Sequence, residues 1–384
     1  HVEFDKPGFA KKVVERVELT VNQTFSTKVV MSVASVTSEV SVSDTAPLLE
    51  TETSSTGTTI TPRQIDSMPL NGRNYLDLMQ LVPGVTVNRQ ADQGTDAATP
   101  VLGQRGNNTQ FLIDGMPNSD NVNGGAAAQF NQDSILEFQV LTSSYKAEFG
   151  YGSGGIVNVI SKSGTNNWHG LGSVFYRNSH LDSSDIQGQS SPSFLQRWDP
   201  SFQLGGPIVK DKVFVFGSVE RIMESRSLNF QFPPNTPPVL MDLEAPYNGH
   251  TLTNDTRIRG KLDEQVGSHR FSEQINLTNT HINDFLPLQA ATNLPSTRYN
   301  VSSRHLMLGF SDNAALGQQS NPYLLNYYVQ YREEPIITTP THPEAGIANT
   351  IDNLFSSVNT GDLFGDLGQV TYGAGFDALK LHSK

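Results

Sequence analysis

The sequence has no cysteine, no long apolar run and no cluster of basic residues, and each absence removes a class of protein. Without cysteine, disulfide scaffolds, thiolate-bound zinc or iron-sulfur sites and thiol catalysis are excluded. No stretch approaches the ~18 consecutive apolar residues of a transmembrane helix. A net charge of −12 with no Lys/Arg run disfavours nucleic acid as a partner.

Turn-forming residues are abundant instead. The 384 residues include 32 Gly and 21 Pro, and only 36% are hydrophobic. Glycine and proline separate short β-branched segments, a pattern that predicts a mainly β protein. The length suits two or three domains. A membrane β-barrel remains compatible with this composition, because its strands alternate apolar and polar residues.

The N-terminal part of the sequence has a strand pattern. Residues 13–21 and 25–33 are β-branched runs, so residues 1–44 predict the C-terminal part of a β-sandwich. Because the chain begins inside a strand-like segment, we expect earlier strands to precede it. Residues 45–58 lose this periodicity and are rich in Thr, Ser and Glu, which predicts a linker.

Residues 59–167 combine helical and strand signals. Thr61 and Pro62 predict a helix start, and residues 74–82 have apolar side chains at helical spacing. Three short strands are expected at residues 110–114, 135–142 and 156–161. This mixture predicts an α+β domain. Its predicted core comprises Leu78, Val82, Leu112, Ile113, Ile135, Phe138, Val157 and Val159.

From residue 168 to residue 384 the sequence alternates apolar and polar residues in strands of about ten residues. Tight turns are predicted at 209–212 and 265–268, and long polar loops at 179–198, 226–254 and 281–297. Short turns at one end and long loops at the other are typical of an outer-membrane barrel. A soluble β-sandwich with irregular loops is the alternative. In the barrel, the lipid-facing set includes Ile258, Leu262, Phe271, Ile275, Leu277, Leu325 and Val329.

Several motifs carry a resemblance to a known family. Residues 70–75 (LNGRNY), 81–85 (LVPGV), 103–107 (GQRGN), 111–117 (FLIDGMP) and 154–165 (GGIVNVISKSGT) are similar to the plug domain of the TonB-dependent outer-membrane receptors. Residues 203–214 resemble the second barrel hairpin of the Oar-like group in that family. The plug-motif residues that the resemblance singles out are Arg73, Asn74, Arg105, Gly106, Asp114, Gly115, Gly154, Gly155, Lys162 and Gly164.

The segments before the plug fit the same resemblance. Residues 1–44 are similar to the end of a carboxypeptidase-regulatory-like sandwich, which is not catalytic. Residues 39–46 (EVSVSDTA) resemble the TonB box, the extended segment on which TonB adds a strand. This box comprises Glu39, Val40, Ser41, Val42 and Ser43. A plain sandwich strand explains the two valines equally well.

The resemblance implies a receptor in the bacterial outer membrane that imports a large ligand, with the plug gating the barrel. Its implied partners are TonB with its inner-membrane energising proteins, outer-membrane lipid, and an extracellular oligosaccharide, peptide or metal chelate. Members of the family close about 22 strands around the plug, whereas about seven are expected after residue 168. We therefore expect this chain to be a fragment that lacks sequence at both ends, with an incomplete barrel.

No enzyme, cofactor or metal site is predicted. The glycine-rich residues 150–155 precede a strand, whereas a phosphate-binding loop requires a helix. The nine histidines are scattered and include no HExxH motif. Tyr327, Tyr328 and Tyr331 suit either sugar stacking or an aromatic girdle at the lipid interface. A secreted or surface-attached β-rich adhesin, or a carbohydrate-binding protein, is the alternative function.

Overall fold

A computed structural model describes most of the chain. The described residues are 2–14, 29–31, 33, 55–68, 70, 73–86, 99–119, 125–145, 149, 152–181, 195–227, 238–247, 249–285, 298–318, 321–333, 335–340 and 381–383. Among them, no helix is long and apolar enough to cross a membrane.

The described N-terminal residues form a small antiparallel pair. Strand β1 (Val2–Phe4) pairs with β2 (Lys12–Val14). The turn between them is closed by a 3.0 Å hydrogen bond from the Phe9 amide to the Lys6 carbonyl. Gly8 adopts φ +87° in this turn, a conformation that glycine tolerates best. Most of the predicted sandwich end, and all of residues 39–46, lie outside the described residues.

A second unit, here called the central domain, is built on a five-stranded sheet. Its strands are β3 (Thr56–Ile60), β4 (Thr109–Ile113), β5 (Met116–Pro117), β6 (Ile135–Ser143) and β7 (Gly155–Ser161). They lie in the order β3-β6-β7-β4-β5, and only the β4/β7 pair is parallel. Helix α1 (Pro62–Ser67) and three 3-10 helices, Tyr75–Leu81, Gly106–Asn108 and Gln132–Ser134, complete the described part of this domain.

The helix starts follow from local sequence. At α1, the Thr61 amide donates to Gln64 Oε1 at 2.9 Å, and Pro62 occupies the first helical position. Residues 74–82 contain a helix with Tyr75, Leu78 and Met79 buried, as the spacing predicts, but it is a 3-10 helix, Tyr75–Leu81. Asn74 caps it by accepting a hydrogen bond from the Leu76 amide at 3.0 Å. The helix ends at Val82, which has an extended backbone and whose amide donates to the Met79 carbonyl at 3.0 Å.

The predicted core of the central domain is confirmed. Seven of the eight predicted residues are buried in one cluster with Ile60, Ile65 and Tyr75. Leu112 is the exception, and packs with Leu141 and Ile156 in a second cluster. Because successive strand residues point to opposite faces, Leu112 lies on the other side of β4 from Phe111 and Ile113.

The remainder of the described chain forms one large antiparallel sheet. Its long strands are β8 (His169–Asn178), β9 (Leu195–Val209), β10 (Val213–Ser227), β11 (His250–Val266), β12 (His269–Phe285), β13 (Tyr299–Gln318) and β14 (Asn321–Glu333). Each pairs with the next in chain order, giving an up-and-down meander. Short strands β15 (Ile336–Pro340) and β16 (Leu381–Ser383) pair with β13 and β14. Helix α2 (Pro238–Glu244), with 3-10 helices Ala245–Tyr247 and Ser179–Leu181, lies between strands.

The two tight turns are where the sequence places them, but the long loops are shorter than predicted. Strands β9, β11 and β12 extend into residues 195–198, 250–254 and 281–285. Ladder hydrogen bonds join backbone groups, so polar side chains do not stop the pairing. The resulting 15 to 17 residues in β9 to β12 exceed the ~9–11 that cross a bilayer.

In the large sheet the polar face is buried and the apolar face is exposed, which is the reverse of the arrangement in a soluble protein. Gln203, Ser218 and Arg259, which are neighbours across β9, β10 and β11, are all buried. The adjacent row on the opposite face contains Phe202, Val219 and Ile258, which are 53%, 41% and 41% exposed. An apolar face turned outward is expected where lipid is the solvent.

The predicted lipid-facing set lies on this outward face. Ile258 and Ile275 are exposed, and Leu262, Phe271, Leu277 and Val329 are partly exposed; the Leu325 side chain lies outside the described set. Tyr331 pairs with exposed Leu308, which supports the girdle interpretation. Strand β10 has an ambiguous pattern because its inward face also carries apolar side chains, including buried Phe216 and Ile222.

We predict that Ile258→Lys destabilises the large sheet in a bilayer by about 2–4 kcal/mol, since a charge enters the apolar face. Val266→Lys is the matched control, because Val266 has the same side-chain parity on β11 but lies next to the tight turn. Its expected cost is about 0–1 kcal/mol, as found near the bilayer surface. Urea-dependent folding into lipid vesicles measures both; equal costs would contradict the lipid-facing assignment.

Candidate functional site at the interface of the central domain and the large sheet

A two-residue turn brings a carboxylate of the central domain to the large sheet. Asp114 and Gly115 connect β4 to β5 with φ +47° and +80°, the backbone that an Asp-Gly hairpin turn favours. The Asp114 amide donates to the Val159 carbonyl at 2.8 Å, which ties the turn to β7. The turn therefore fixes the Asp114 side chain beside the end of β7.

Four residues form what we call the Asp114 cluster: Asp114, Ser161, Arg259 and Lys261. Asp114 accepts hydrogen bonds from the Ser161 amide at 2.9 Å and its hydroxyl at 2.7 Å. Arg259 Nη2 on β11 lies 2.6 Å from Asp114 Oδ2, and Lys261 Nζ lies 3.5 Å from the same oxygen. The cluster joins the two units through one carboxylate and two cations.

The cations keep Asp114 ionised. Burial by itself raises the pKa of the carboxyl, but the charges of Lys261 and Arg259 and the Ser161 hydrogen bonds outweigh it. The pKa of Asp114 is therefore held below its usual value. Its charge persists at neutral pH, so the contact between the two units is ionic under physiological conditions.

Side chains on β12 and on β11 itself orient the two cations. Arg259 also donates to Gln274 Oε1 at 2.9 Å and to Asn276 Oδ1, both on β12. Lys261 Nζ lies 4.0 Å from Asp263 Oδ1, and the Ser163 hydroxyl donates to Asp263. These contacts hold the cations towards the central domain.

A second set of contacts, the Asp133 cluster, comprises Asp133, Arg73, Ser173 and Ser201. Asp133 Oδ1 lies 2.7 Å from Arg73 Nη2 within the central domain. Its Oδ2 accepts from the hydroxyls of Ser173 on β8 and Ser201 on β9, each at 3.1 Å. The Arg73 guanidinium lies 3.7 Å from the Phe175 ring centroid, a cation-π contact with β8.

Side chains of the large sheet also bind backbone carbonyls of the central domain. Gln330 donates to the Pro117 carbonyl at 2.7 Å, and Arg332 donates to the Ser119 carbonyl at 2.8 Å. Thr278 donates to the Gln129 carbonyl at 3.1 Å. These hydrogen bonds and ion pairs are polar contacts, which water can replace if the domain moves.

The structure divides the ten plug-motif residues into two groups. Arg73, Asp114 and Gly164 touch the large sheet; a Cβ on Gly164 would lie 2.5 Å from the Val215 carbonyl oxygen. The others belong to the central domain itself. Asn74 caps the 3-10 helix Tyr75–Leu81, exposed Arg105 precedes the 3-10 helix Gly106–Asn108, and Gly106 begins that helix. Gly115 completes the turn after Asp114, and Gly155 packs on Val101. The Gly154 amide donates to the Asn108 carbonyl, and the Lys162 amide donates to the Ser134 carbonyl.

Sequence reasoning missed Arg259, Lys261, Ser161 and Asp133. One signal for the two cations was available, because Arg259 and Lys261 alternate with the apolar residues of β11 and so face inward. Residues 39–43, the TonB-box-like segment, lie outside the described residues. Within the described part of the chain, no three His, Asp or Glu side chains gather as a metal site.

We predict that Asp114→Asn costs about 3 kcal/mol of stability at pH 7, because buried Arg259 loses its carboxylate partner and Lys261 loses the nearer of its two. A lowered folded-state pKa stabilises the native state above the unfolded pKa, and this contribution disappears as pH falls through the folded value. The difference in the free energy of unfolding between the wild type and Asp114→Asn, measured by urea denaturation, should therefore shrink below about pH 4. Exposed Asp66→Asn is the control. A difference independent of pH would contradict the ionic contact.

Two family models match consecutive parts of the chain. The TonB-dependent receptor plug domain matches residues 50–157, and the outer membrane beta barrel domain matches residues 160–315. The TonB-dependent transporter Oar of Myxococcus xanthus is 27% identical over 172 residues, 41% of this chain and 15% of Oar. The ferrienterobactin receptor of Escherichia coli (strain K12) is 27% identical over 133 residues, 31% of this chain and 18% of that receptor.

Solved structures share the fold. The outer membrane transporter YddB from Escherichia coli aligns with a TM-score of 0.59 at 14% identity, covering 80% of this chain and 43% of YddB. This chain therefore spans less than half the length of these three relatives. The similarity identifies the central domain as the plug and the large sheet as part of an outer-membrane barrel, and it gives the adhesin alternative no support.

Proposed function

Because this chain belongs to the TonB-dependent outer-membrane receptors, we propose that it forms the gate of an importer that takes a large ligand across the bacterial outer membrane. We assign it no catalytic role. The proposal retains the divisions inferred from sequence: sandwich end at 1–44, linker at 45–58, plug at 59–167 and barrel at 168–384.

The observation that carries the proposal is the polar interface around the Asp114 and Asp133 clusters. A plug that only filled the barrel for stability would be better served by apolar packing, since buried ion pairs contribute little net free energy. Ionic and hydrogen-bonded contacts can instead exchange for water contacts when the plug shifts. The two clusters thus hold the plug in the closed position at rest and release it when a force pulls on the plug.

The force is supplied by TonB. In this proposal, TonB adds a strand to residues 39–46 through main-chain hydrogen bonds and pulls on the plug through the linker. Movement of the plug separates Asp114 from Arg259 and Lys261, and Asp133 from Ser173 and Ser201. Water enters the opened interface, and the ligand passes along the barrel wall.

The ligand belongs to one of three classes: a metal chelate, an oligosaccharide or a peptide. Two curated relatives are named as a ferrienterobactin receptor and a probable siderophore receptor, so a ferric chelate is the first to test. Radiolabelled members of each class are supplied to cells that carry the native protein, with and without TonB. We expect uptake of one class that stops when TonB is deleted. Surface binding without uptake in both strains would favour the adhesin.

A further inference from the structure

The outward face of β8, β9 and β10 contains a groove of about 410 Å³. Its outward-facing lining consists of Gly172, Val174, Pro200, Phe202, Val219 and Arg221. Five of these six residues present apolar surface, and Arg221 supplies a single positive charge. The volume is within the range of small-molecule sites, about 300–1,000 Å³.

The local sequence explains why a groove forms here. Gly172 has no side chain, and a Cβ at this position would approach only the Phe202 ring, at 3.9 Å. Pro200 has no amide hydrogen to donate to the ladder. Pairing between β9 and β10 is accordingly interrupted between Ser201 and Trp198. A missing side chain and an interrupted ladder together leave the depression.

Arg221 is held at the rim of the groove. Its Nη1 donates to the Thr256 hydroxyl, and its Nη2 donates to Asn254 Oδ1 at 3.3 Å. Within the described part of the chain, no carboxylate forms an ion pair with Arg221. An arginine on a lipid-facing surface is costly unless its charge is compensated. Among the described residues nothing neutralises the fixed guanidinium, so an anion supplied by the membrane can pair with it.

The aromatic side chains nearby indicate the depth of Arg221 in the membrane. Tyr176 and Trp198 lie with ring centroids 4.5 Å apart and are 43% and 45% exposed. Trp198 pairs with Met223, two residues beyond Arg221 on β10. Such rings mark the level of the lipid headgroups. Arg221 thus lies next to this level, with the apolar groove on its membrane side.

We infer that this groove binds one phosphate-bearing lipid of the outer leaflet. An acyl chain fills the space over Gly172, between Val174, Phe202 and Val219, while a headgroup phosphate pairs with Arg221. The planar guanidinium suits this partner, since it donates two parallel hydrogen bonds to phosphate oxygens. The source of the phosphate is the lipid headgroup, because only a lipid satisfies the apolar groove and the charge together.

The test uses the wild-type protein in nanodiscs, and native mass spectrometry measures how much lipid stays bound to it. The probes are a diphosphorylated lipid A, its dephosphorylated form with the same acyl chains, and inorganic phosphate. Arg221→Gln removes the charge, and Gly172→Leu fills the groove without meeting backbone. The matched control is Arg304→Gln, which removes an exposed arginine from the outward face, in the same cross-strand row as Arg221, Thr256 and Asn279.

We expect the wild-type protein to retain the phosphorylated lipid. Each groove variant should retain it about tenfold less, as expected for loss of one charged hydrogen-bond partner or of the apolar space. Arg304→Gln should bind as the wild type does, and inorganic phosphate should not displace the lipid. Three results would each overturn the inference. The dephosphorylated lipid could be retained as well as the phosphorylated one, Arg221→Gln and Arg304→Gln could lose the lipid equally, or inorganic phosphate could displace the lipid.

Discussion

Replacing Val40 with proline should abolish energy-dependent uptake while leaving ligand binding at the cell surface intact. In the proposed mechanism TonB binds residues 39–46 through backbone hydrogen bonds, and proline removes a ladder donor and restricts φ. Val40→Ala keeps the backbone donor and should transport nearly as the wild type does. Uptake and surface binding of the ligand class that the radiolabel experiment identifies are measured in parallel on the same cells.

This pair of variants separates the two interpretations of residues 39–46. If the segment is a plain sandwich strand, Val40→Pro should lower the amount of folded protein and reduce binding and uptake together. If Val40→Pro transports normally, the coupling segment lies outside residues 39–46.

Phe138→Ala should unfold the plug. Phe138 is completely buried in the centre of β6, and its ring packs edge-on against Tyr75 with centroids 6.2 Å apart. Removing a buried phenyl ring costs about 3–5 kcal/mol, a large part of the stability of a domain of this size. We expect loss of uptake together with entry of large antibiotics that the closed gate excludes.

Leu136→Ala is the matched control, because Leu136 lies on the same strand and is 41% exposed. Its cost should stay well below that of Phe138→Ala, since no cavity forms at a surface position. Antibiotic sensitivity and protease protection of the plug measure both variants. A protease-resistant plug in Phe138→Ala would show that the core lies elsewhere.

Local signals in the sequence were enough to predict where the helices and strands lie and which face of each strand is apolar. Thr61 and Pro62 predicted the start of α1, and the alternation around Ile258 predicted which side of β11 faces lipid. Strand ends were predicted less well, because ladder hydrogen bonds extend through polar residues such as those at 250–254. The spacing of Tyr75, Leu78 and Met79 predicted a helix with one buried face, but it did not predict that Tyr75–Leu81 is a 3-10 helix.

The site depended on contacts that no local pattern contains. Asp114 was singled out by resemblance, but its partner Arg259 lies 145 residues away. Alternation places Arg259 on the inward face without specifying which plug residue it meets. Asp133 has no motif at all, and gains its role only because β8 and β9 bring Ser173 and Ser201 to the same oxygen.

In the proposed mechanism, the plug must separate from the barrel for transport. Since the sequence contains no cysteine, Asp133→Cys with Ser201→Cys introduces two unique thiols on opposite sides of the interface. A short, reducible bifunctional thiol reagent then ties the plug to the barrel. We expect the cross-linked protein to bind its ligand without importing it, and reduction to restore import. Unchanged import in the fully cross-linked protein would show that transport does not require this separation.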